Sequence, residues 1–302
     1  MKKLILVLII TLVFSCKNDT KDNGKLNIVT TTTMITDLVK NIGGDAVNVD
    51  GLMGSGVDPH LYKASEGDVT KLVNADIIFY NGLHLEGKLV EVFEKMGSAT
   101  KRPIALADQL DKSKLIGSDY FASNYDPHVW FDINYFKQFA NKVTEVLSEQ
   151  DPENSEVYKQ NEAQYLAELN KLQEDVKGVV ASLPEEKRIL VTAHDAFNYF
   201  GEAYKFKVVG LQGLSTATEA GVQDVQKLAA FIIENKIKAI FVESSVPRRT
   251  IEALQEAVKS KGHDVAIGGT LYSDALGNDG TVEGTYIGMY RYNIKTIVSA
   301  LK

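Results

Sequence analysis

The sequence predicts an α/β protein of two similar lobes. Each is a four-stranded parallel sheet with flanking helices, and one long rigid backbone helix joins them. Three observations carry this prediction. Short apolar runs alternate with amphipathic segments from residue 26 onward, and the same rhythm returns after residue 188. Between the two lies a stretch with apolar residues at every seventh position on two adjoining rows.

In the first half, Leu26 to Thr30, Val47 to Leu52, Asp76 to Tyr80 and Pro103 to Leu106 read as buried parallel strands. Helical patterns fall between them at 33–42, 66–74 and 86–96, and Gly43-Gly44 stops the first. Strand and helix in strict alternation imply a parallel sheet.

The stretch from Pro152 to Leu183 carries the strongest helical signal. Tyr158, Tyr165, Leu172 and Val179 form one sevenfold row, and Leu169, Val176 and Leu183 form the next. Pro184 closes it. At 1.5 Å per residue such a helix reaches about 48 Å, long enough to brace both lobes and to limit bending between them.

In the second half, Arg188 to Thr192, Lys207 to Gly210, Ala239 to Glu243 and Val265 to Gly268 read as strands. Helices are expected at 195–204, 222–235, 248–261 and 283–301, with Pro247 suited to a first helical turn. The expected boundaries are residues 26–150 for the first lobe, 151–184 for the linking helix and 185–302 for the second lobe.

The N-terminus reads as a secretory leader over residues 1–15. Lys2 and Lys3 supply positive charge, and Leu4 to Phe14 is apolar apart from Thr11. That run is too short for a stable span, which needs about 20 residues. It ends at Ser15-Cys16, and Cys16 is the only cysteine in 302 residues. The order resembles a lipoprotein signal with Cys16 as the acylated residue, although Val13 stands where leucine is usual. Residues 16–25 then form the lipidated cysteine and a polar tether. A single cysteine permits no internal disulfide, so stability rests on apolar burial. The net charge of −7, with no basic stripe, excludes nucleic acid as the expected partner.

Asp-Pro-His occurs twice, at Asp58-Pro59-His60 and Asp126-Pro127-His128. A third histidine, His194, precedes Asp195, and Asp274 sits in Tyr-Ser-Asp-Ala-Leu-Gly. His60, His128, His194 and Asp274 are separated by 68, 66 and 80 residues, so no local ligand pair exists. Three imidazoles and a carboxylate make a closed nitrogen and oxygen cage for a divalent transition metal, which only the finished fold assembles. His60, His128 and His194 fall just beyond apolar runs or a loop, and Asp274 follows the last expected strand. Open parallel sheets gather ligands outside the carboxyl ends of their strands.

Motifs along the whole mature chain resemble the metal-receptor lipoproteins of ATP-driven zinc and manganese importers (the cluster A-I solute-binding proteins). They are Gly-Val-Asp-Pro-His at 56–60, Asn-Gly-Leu at 81–83, Asp-Pro-His-Val-Trp-Phe-Asp at 126–132, Thr-Ala-His-Asp-Ala-Phe at 192–197, Ser-Thr-Ala-Thr-Glu-Ala-Gly at 215–221, Phe-Val-Glu-Ser-Ser at 241–245 and Tyr-Ser-Asp-Ala-Leu-Gly at 272–277. The family's ligand positions match His60, His128, His194 and Asp274, the three-histidine, one-aspartate set of the treponemal-type receptor. The long His-rich acidic loop of many dedicated zinc receptors is missing from the sequence. The resemblance implies two β/α lobes on a rigid helix, one Zn²⁺ or Mn²⁺ per chain as cargo, and a permease with its ATPase as partners. It also implies a monomer outside the cytoplasm, lipid-anchored through Cys16. Three imidazoles rank zinc ahead of manganese.

Asp58, Asp126 and Asp195 adjoin the histidines. Two roles are open: orienting imidazole N–H groups, or acting as turn residues before proline (Asp58, Asp126) and as the cap of a helix starting at Ala196 (Asp195). The turn and cap roles have the stronger local signal. Trp130, Phe131, Phe197 and Tyr199 are expected to dry the site or to serve as plain core. His84 and His263 read as non-ligands. Glu219 and Glu243 match acidic family positions and read as loop supports, permease contacts or solvated surface. A secreted zinc hydrolase is the alternative from another class, but no His-Glu-x-x-His, Gly-x-Ser-x-Gly or Gly-x-x-x-x-Gly-Lys-Ser/Thr occurs. A surface adhesin is a further alternative on which the sequence is silent.

Overall fold

The computed structural model describes residues 24–96, 103–119 and 121–302. The expected leader, Cys16 and all but the last residues of the tether lie outside the described residues.

Strands β1 (Leu26–Thr30), β2 (Val47–Gly51), β3 (Ile77–Tyr80) and β4 (Ile104–Ala105) form a wholly parallel sheet in the order β2-β1-β3-β4. The chain winds one way from β1 to β2 and the other way from β3 to β4. Helix α1 (Thr33–Gly43) buries Met34, Ile35, Leu38, Val39 and Ile42, one stripe at helical spacing. It ends at Gly44, whose φ of 52° favours glycine. Helix α2 (Glu66–Asn74) starts on a reciprocal cap: Ser65 Oγ accepts from Asp68 N–H, and the Asp68 carboxylate accepts from Ser65 N–H. Helix α3 spans Gly87–Met96.

The sequence left one long element unassigned. Helix α4 (Ile133–Gln150) opens on Asp132, whose side chain accepts from Asn134 N–H at 2.7 Å. It buries Phe136, Phe139, Ala140, Val143 and Leu147. That spacing is helical, and the helix follows directly on the Asp-Pro-His-Val-Trp-Phe motif.

Helix α5 is Ser155–Ala181, 27 residues after a 3-10 turn at Pro152–Asn154, so it is about 40 Å long and shorter than expected. Tyr158, Tyr165, Leu169, Leu172 and Val176 are buried as foreseen, but Val179 is 37 % exposed and Val180 is buried instead. A sevenfold row drifts about 20° per repeat around a straight helix, so its fourth member has rotated to the edge of the stripe. The buried face packs on α1 and α4 and on the C-terminal helix α9 (Tyr286–Leu301).

The second half contains β5 (Ile189–His194), β6 (Lys207–Gln212), β7 (Ala239–Glu243) and β8 (Ala266–Leu271), with α6 (Asn198–Tyr204), α7 (Val222–Glu234) and α8 (Arg249–Lys259). The class is as expected, but the sheet is not one four-stranded ladder. Hydrogen bonds join β5 to β6 and β7 to β8, both parallel, while β5 and β7 only lie side by side. Strand β7 carries a register irregularity at Ile240/Phe241. At its end a side chain replaces a ladder bond: His194 N–H donates to the Glu243 carboxylate at 2.8 Å.

One apolar cluster runs from Ile28 to Leu301 and includes α5, so the halves share a core. Two tyrosines of α9 reach into the first half. Tyr286 donates to the Trp130 carbonyl at 2.6 Å and Tyr290 to the Phe131 carbonyl at 2.7 Å.

Candidate metal centre

Each candidate side chain sits on a rigid strand end or a cross-braced loop. Asp58 Oδ1 accepts His60 N–H at 2.9 Å, closing a turn across Pro59. Asp126 Oδ1 accepts His128 N–H at the same 2.9 Å, so the repeated motif builds the same turn twice. His194 is the last residue of β5, two residues beyond the expected strand end. The Asp274 loop is bracketed by Asn293, which exchanges two hydrogen bonds with the Tyr272 backbone, and by Thr33, whose hydroxyl accepts Leu276 N–H at 2.8 Å.

These elements bring all four side chains together. One ligand atom from each of His60, His128, His194 and Asp274 lies within 4.8 Å of the other three. Nε2 of His60 is 3.3 Å from Nε2 of His128 and 3.7 Å from Asp274 Oδ2. His128 Nε2 is 3.6 Å from Asp274 Oδ1, and His194 Nε2 is 3.2 Å from Oδ2. Four atoms held about 2.0–2.2 Å from a tetrahedral ion are about 3.4 Å apart. His194 Nε2 and both Asp274 oxygens are buried without a hydrogen-bond partner. Buried polar atoms are nearly always satisfied, so three orphans facing one centre fit an ion there.

Two carboxylates behind the histidines fix their rings. Asp126 Oδ1 is 2.7 Å from His128 Nδ1, and Glu243 Oε2 is 2.6 Å from His194 Nδ1. Both place the Nδ1 proton on the outer side and turn Nε2 inward, the usual support of a metal-binding imidazole. Asp126 therefore fills both roles weighed for it. Asp58 makes the turn but touches no imidazole. Its other oxygen accepts from the Thr216 hydroxyl at 2.5 Å. Asp195 does neither: α6 begins three residues after it, with Phe197 at the cap position and no side-chain cap. Its backbone N–H donates to Gly213 O at 3.3 Å. Trp130 packs edge-on against His128, rings 5.3 Å apart, and donates to the Ser273 carbonyl beside Asp274 at 3.1 Å.

Glu243 is the site residue that the sequence did not place. It is buried, not surface. Its signal was its position, at the carboxyl end of an apolar strand and on the same sheet end as His194. Glu219 is exposed, 3.8 Å from Arg249. His84 is exposed, and His263 faces the Ile237 carbonyl at 3.3 Å; neither joins the cluster.

Burial, only partly offset by Asp274, pushes the His60 pKa down to about 3, so this ring stays neutral and ready to ligate. Burial also disfavours charge on His194, but the Glu243 and Asp274 carboxylates outweigh it and hold its pKa well above the usual value. Burial works likewise against a charged Asp274, yet His194, His128 and His60 hold it below the ordinary carboxylate range.

With this geometry in view, the comparisons with known proteins are decisive. Residues 28–300 match the family model described as zinc-uptake complex component A, periplasmic (ZnuA). The chain belongs to this family. Within the ZnuA family it is 49 % identical over 278 residues to the manganese-binding lipoprotein MntA of Bacillus subtilis, spanning 92 % of this chain and 90 % of that one. It is also 49 % identical over 283 residues to the zinc-binding protein TroA of Treponema pallidum, spanning 94 % and 91 %. The solved structure of that periplasmic protein superposes with a TM-score of 0.89 at 50 % identity, covering 92 % of this chain and 99 % of that one. A third relative, at 32 % identity over 100 % of this chain and 99 % of its own, is the manganese ABC transporter substrate-binding lipoprotein PsaA of Streptococcus pneumoniae. These ZnuA-family proteins are binding and uptake components, not enzymes.

Proposed function

We propose that this chain is the extracytoplasmic receptor of an ATP-driven metal importer. It holds one Zn²⁺ or Mn²⁺ as cargo on His60, His128, His194 and Asp274 and hands the ion to a permease powered by an ATPase. The observation that carries this reading is the convergence of three imidazole nitrogens and a carboxylate whose inward atoms have no other partner. Relatives called zinc-binding and manganese-binding at equal identity support both cargoes. Three imidazoles favour zinc intrinsically. Asp126 and Glu243 orient the rings. The expected boundaries stand as part of the proposal: lobes over 26–150 and 185–302, joined by the helix within 151–184. So do the acyl anchor on Cys16, supported by the relatives named as lipoproteins, and the monomeric state.

A hydrolase would need an open coordination position and a carboxylate free to act as base. The two carboxylates nearest the ligands, Asp126 and Glu243, are already bound to imidazole Nδ1. Nothing in the comparisons favours an adhesin reading. With α5 packed against helices of both halves, release is expected to involve loops or a few degrees of rotation.

Elemental analysis of metal-stripped protein reloaded with Zn²⁺, followed by Mn²⁺ competition, tests the proposal. One ion per chain with zinc preferred is the expected result. Stoichiometric loading that survives loss of all four ligand side chains would refute the assignment.

A further inference from the structure

The site is closed. His128 and His194 are fully buried, Asp274 is 1 % exposed and His60 5 %, so no ion enters or leaves unless something moves. The two Asp-Pro-His motifs indicate what moves. In each, one carboxylate oxygen closes the turn onto the histidine, and the other reaches across to the second half of the chain. Asp126 Oδ2 accepts from Asn198 Nδ2 at 3.0 Å, and Asp58 Oδ2 accepts from the Thr216 hydroxyl.

The two ties differ in strength. The Asp126 tie is reinforced. Tyr199 donates to the Asp126 carbonyl at 3.0 Å, and its oxygen accepts Ile116 N–H at 3.2 Å. The Asp58 tie rests on one hydroxyl. Thr216 lies in the 213–221 loop between β6 and α7, and it is the one buried residue there; the others are exposed or partly so. The loop is undercut on both sides. A cavity of about 500 Å³ lies against Gly213, Leu214, Ser215 and Thr218, and one of about 460 Å³ against Asp58, Thr216 and Glu219. The first half's other tie in this region, Ser55 to the Leu276 carbonyl at 3.0 Å, holds the Asp274 loop instead.

We infer that the Thr216–Asp58 hydrogen bond is the latch of the metal site: Thr216 is a positioning residue that holds the His60 turn closed, and its release opens the path for the ion. The inference rests on the receptor reading above. The latch is made by the closed fold with or without cargo, so it slows entry and exit alike and leaves their ratio nearly unchanged.

The test compares wild type with Thr216→Val, which removes the hydroxyl at equal volume, and with Thr216→Ser, which keeps it. Zinc uptake is followed by stopped-flow fluorescence of Trp130, and zinc release by excess chromophoric chelator. In Thr216→Val both rates should rise by about tenfold, the loss of one hydrogen bond to a charged acceptor, with Kd within about twofold of wild type. Thr216→Ser should keep wild-type rates. Unchanged rates in Thr216→Val overturn the latch, as does faster release with unchanged uptake, which marks mere damage to the site. A wild-type protein that takes up no zinc overturns the receptor reading and the latch with it; zinc uptake with unaltered variant kinetics overturns the latch alone.

Discussion

Glu243 grips His194 twice: Oε2 lies 2.6 Å from Nδ1, and Oε1 accepts the backbone N–H of the same residue at 2.8 Å. The carboxylate thereby sets the tautomer, the ring plane and the strand end together. Replacing it by Glu243→Gln keeps the size but removes the charge. Zinc affinity is expected to fall about 10–100-fold, the usual cost of losing a carboxylate behind a ligating histidine. Competition titration against a chelator of known affinity checks this; an unchanged Kd would show that packing alone orients the ring.

Protons should leave as metal arrives. In the metal-free protein, Glu243 and Asp274 hold His194 well above its usual pKa despite burial, so its Nε2 carries a proton near neutral pH. His60, pushed down to about 3, contributes none. Binding must expel the His194 proton, so affinity should rise about tenfold per pH unit until His194 is itself neutral, and weaken as pH falls. Calorimetry at pH 7 in buffers of different ionisation heat should read about one proton released per Zn²⁺. A reading of zero contradicts the assignment.

Ligand truncation should be severe and graded by nothing but geometry. Dividing the roughly 10–16 kcal/mol of a structural zinc site among four ligands gives about 2.5–4 each, or about two to three decades in Kd. His60→Ala, His128→Ala, His194→Ala and Asp274→Ala are each expected to lose that much, while His84→Ala and His263→Ala lose nothing. Parallel zinc titrations of the six variants decide it.

Asp37 should make stability depend on pH. It joins the halves by accepting Tyr286 N–H at 2.9 Å at the start of α9. Burial, against the hydrogen bonds of Tyr286, Asn41 and Tyr165, raises its pKa from 3.8 to about 6. The folded state then binds more protons than the unfolded state between those values. The contribution is fully present below about pH 4 and is lost as pH rises through about 6, amounting to about 3 kcal/mol. Asp37→Asn keeps an acceptor and cannot ionise. It should melt several degrees above wild type at pH 7.5, with the gap closing at pH 4. Parallel melting profiles across that range would remove Asp37 as the cause.

Much of this molecule is legible in its residues because period and motif speak locally. The alternation from Leu26 to Leu106 gave the first sheet, and the two Asp-Pro-His turns pointed to His60 and His128, which the fold brings into one cluster. What escaped depends on three-dimensional neighbours. Glu243 stands 49 positions from His194 and looks like any acidic strand end until β5 and β7 lie side by side. The split of the second sheet between β5 and β7 is likewise a matter of three-dimensional neighbours that no one-dimensional pattern encodes. Asp195 misled in the other direction: a histidine-aspartate-alanine sequence is a fair capping signal, but β5 continues to His194 and delays the helix. Val179 was misplaced because a sevenfold count slips against 3.6 residues per turn.

The hydroxyls that Tyr286 and Tyr290 extend to the Trp130 and Phe131 carbonyls make the seat of His128 depend on the far end of the sequence. The segment holding His128 gets these braces from the sixteen residues of α9, more than 150 positions later. A chain that ended before residue 286 would carry His60, His128, His194 and Asp274 but lack both of these braces.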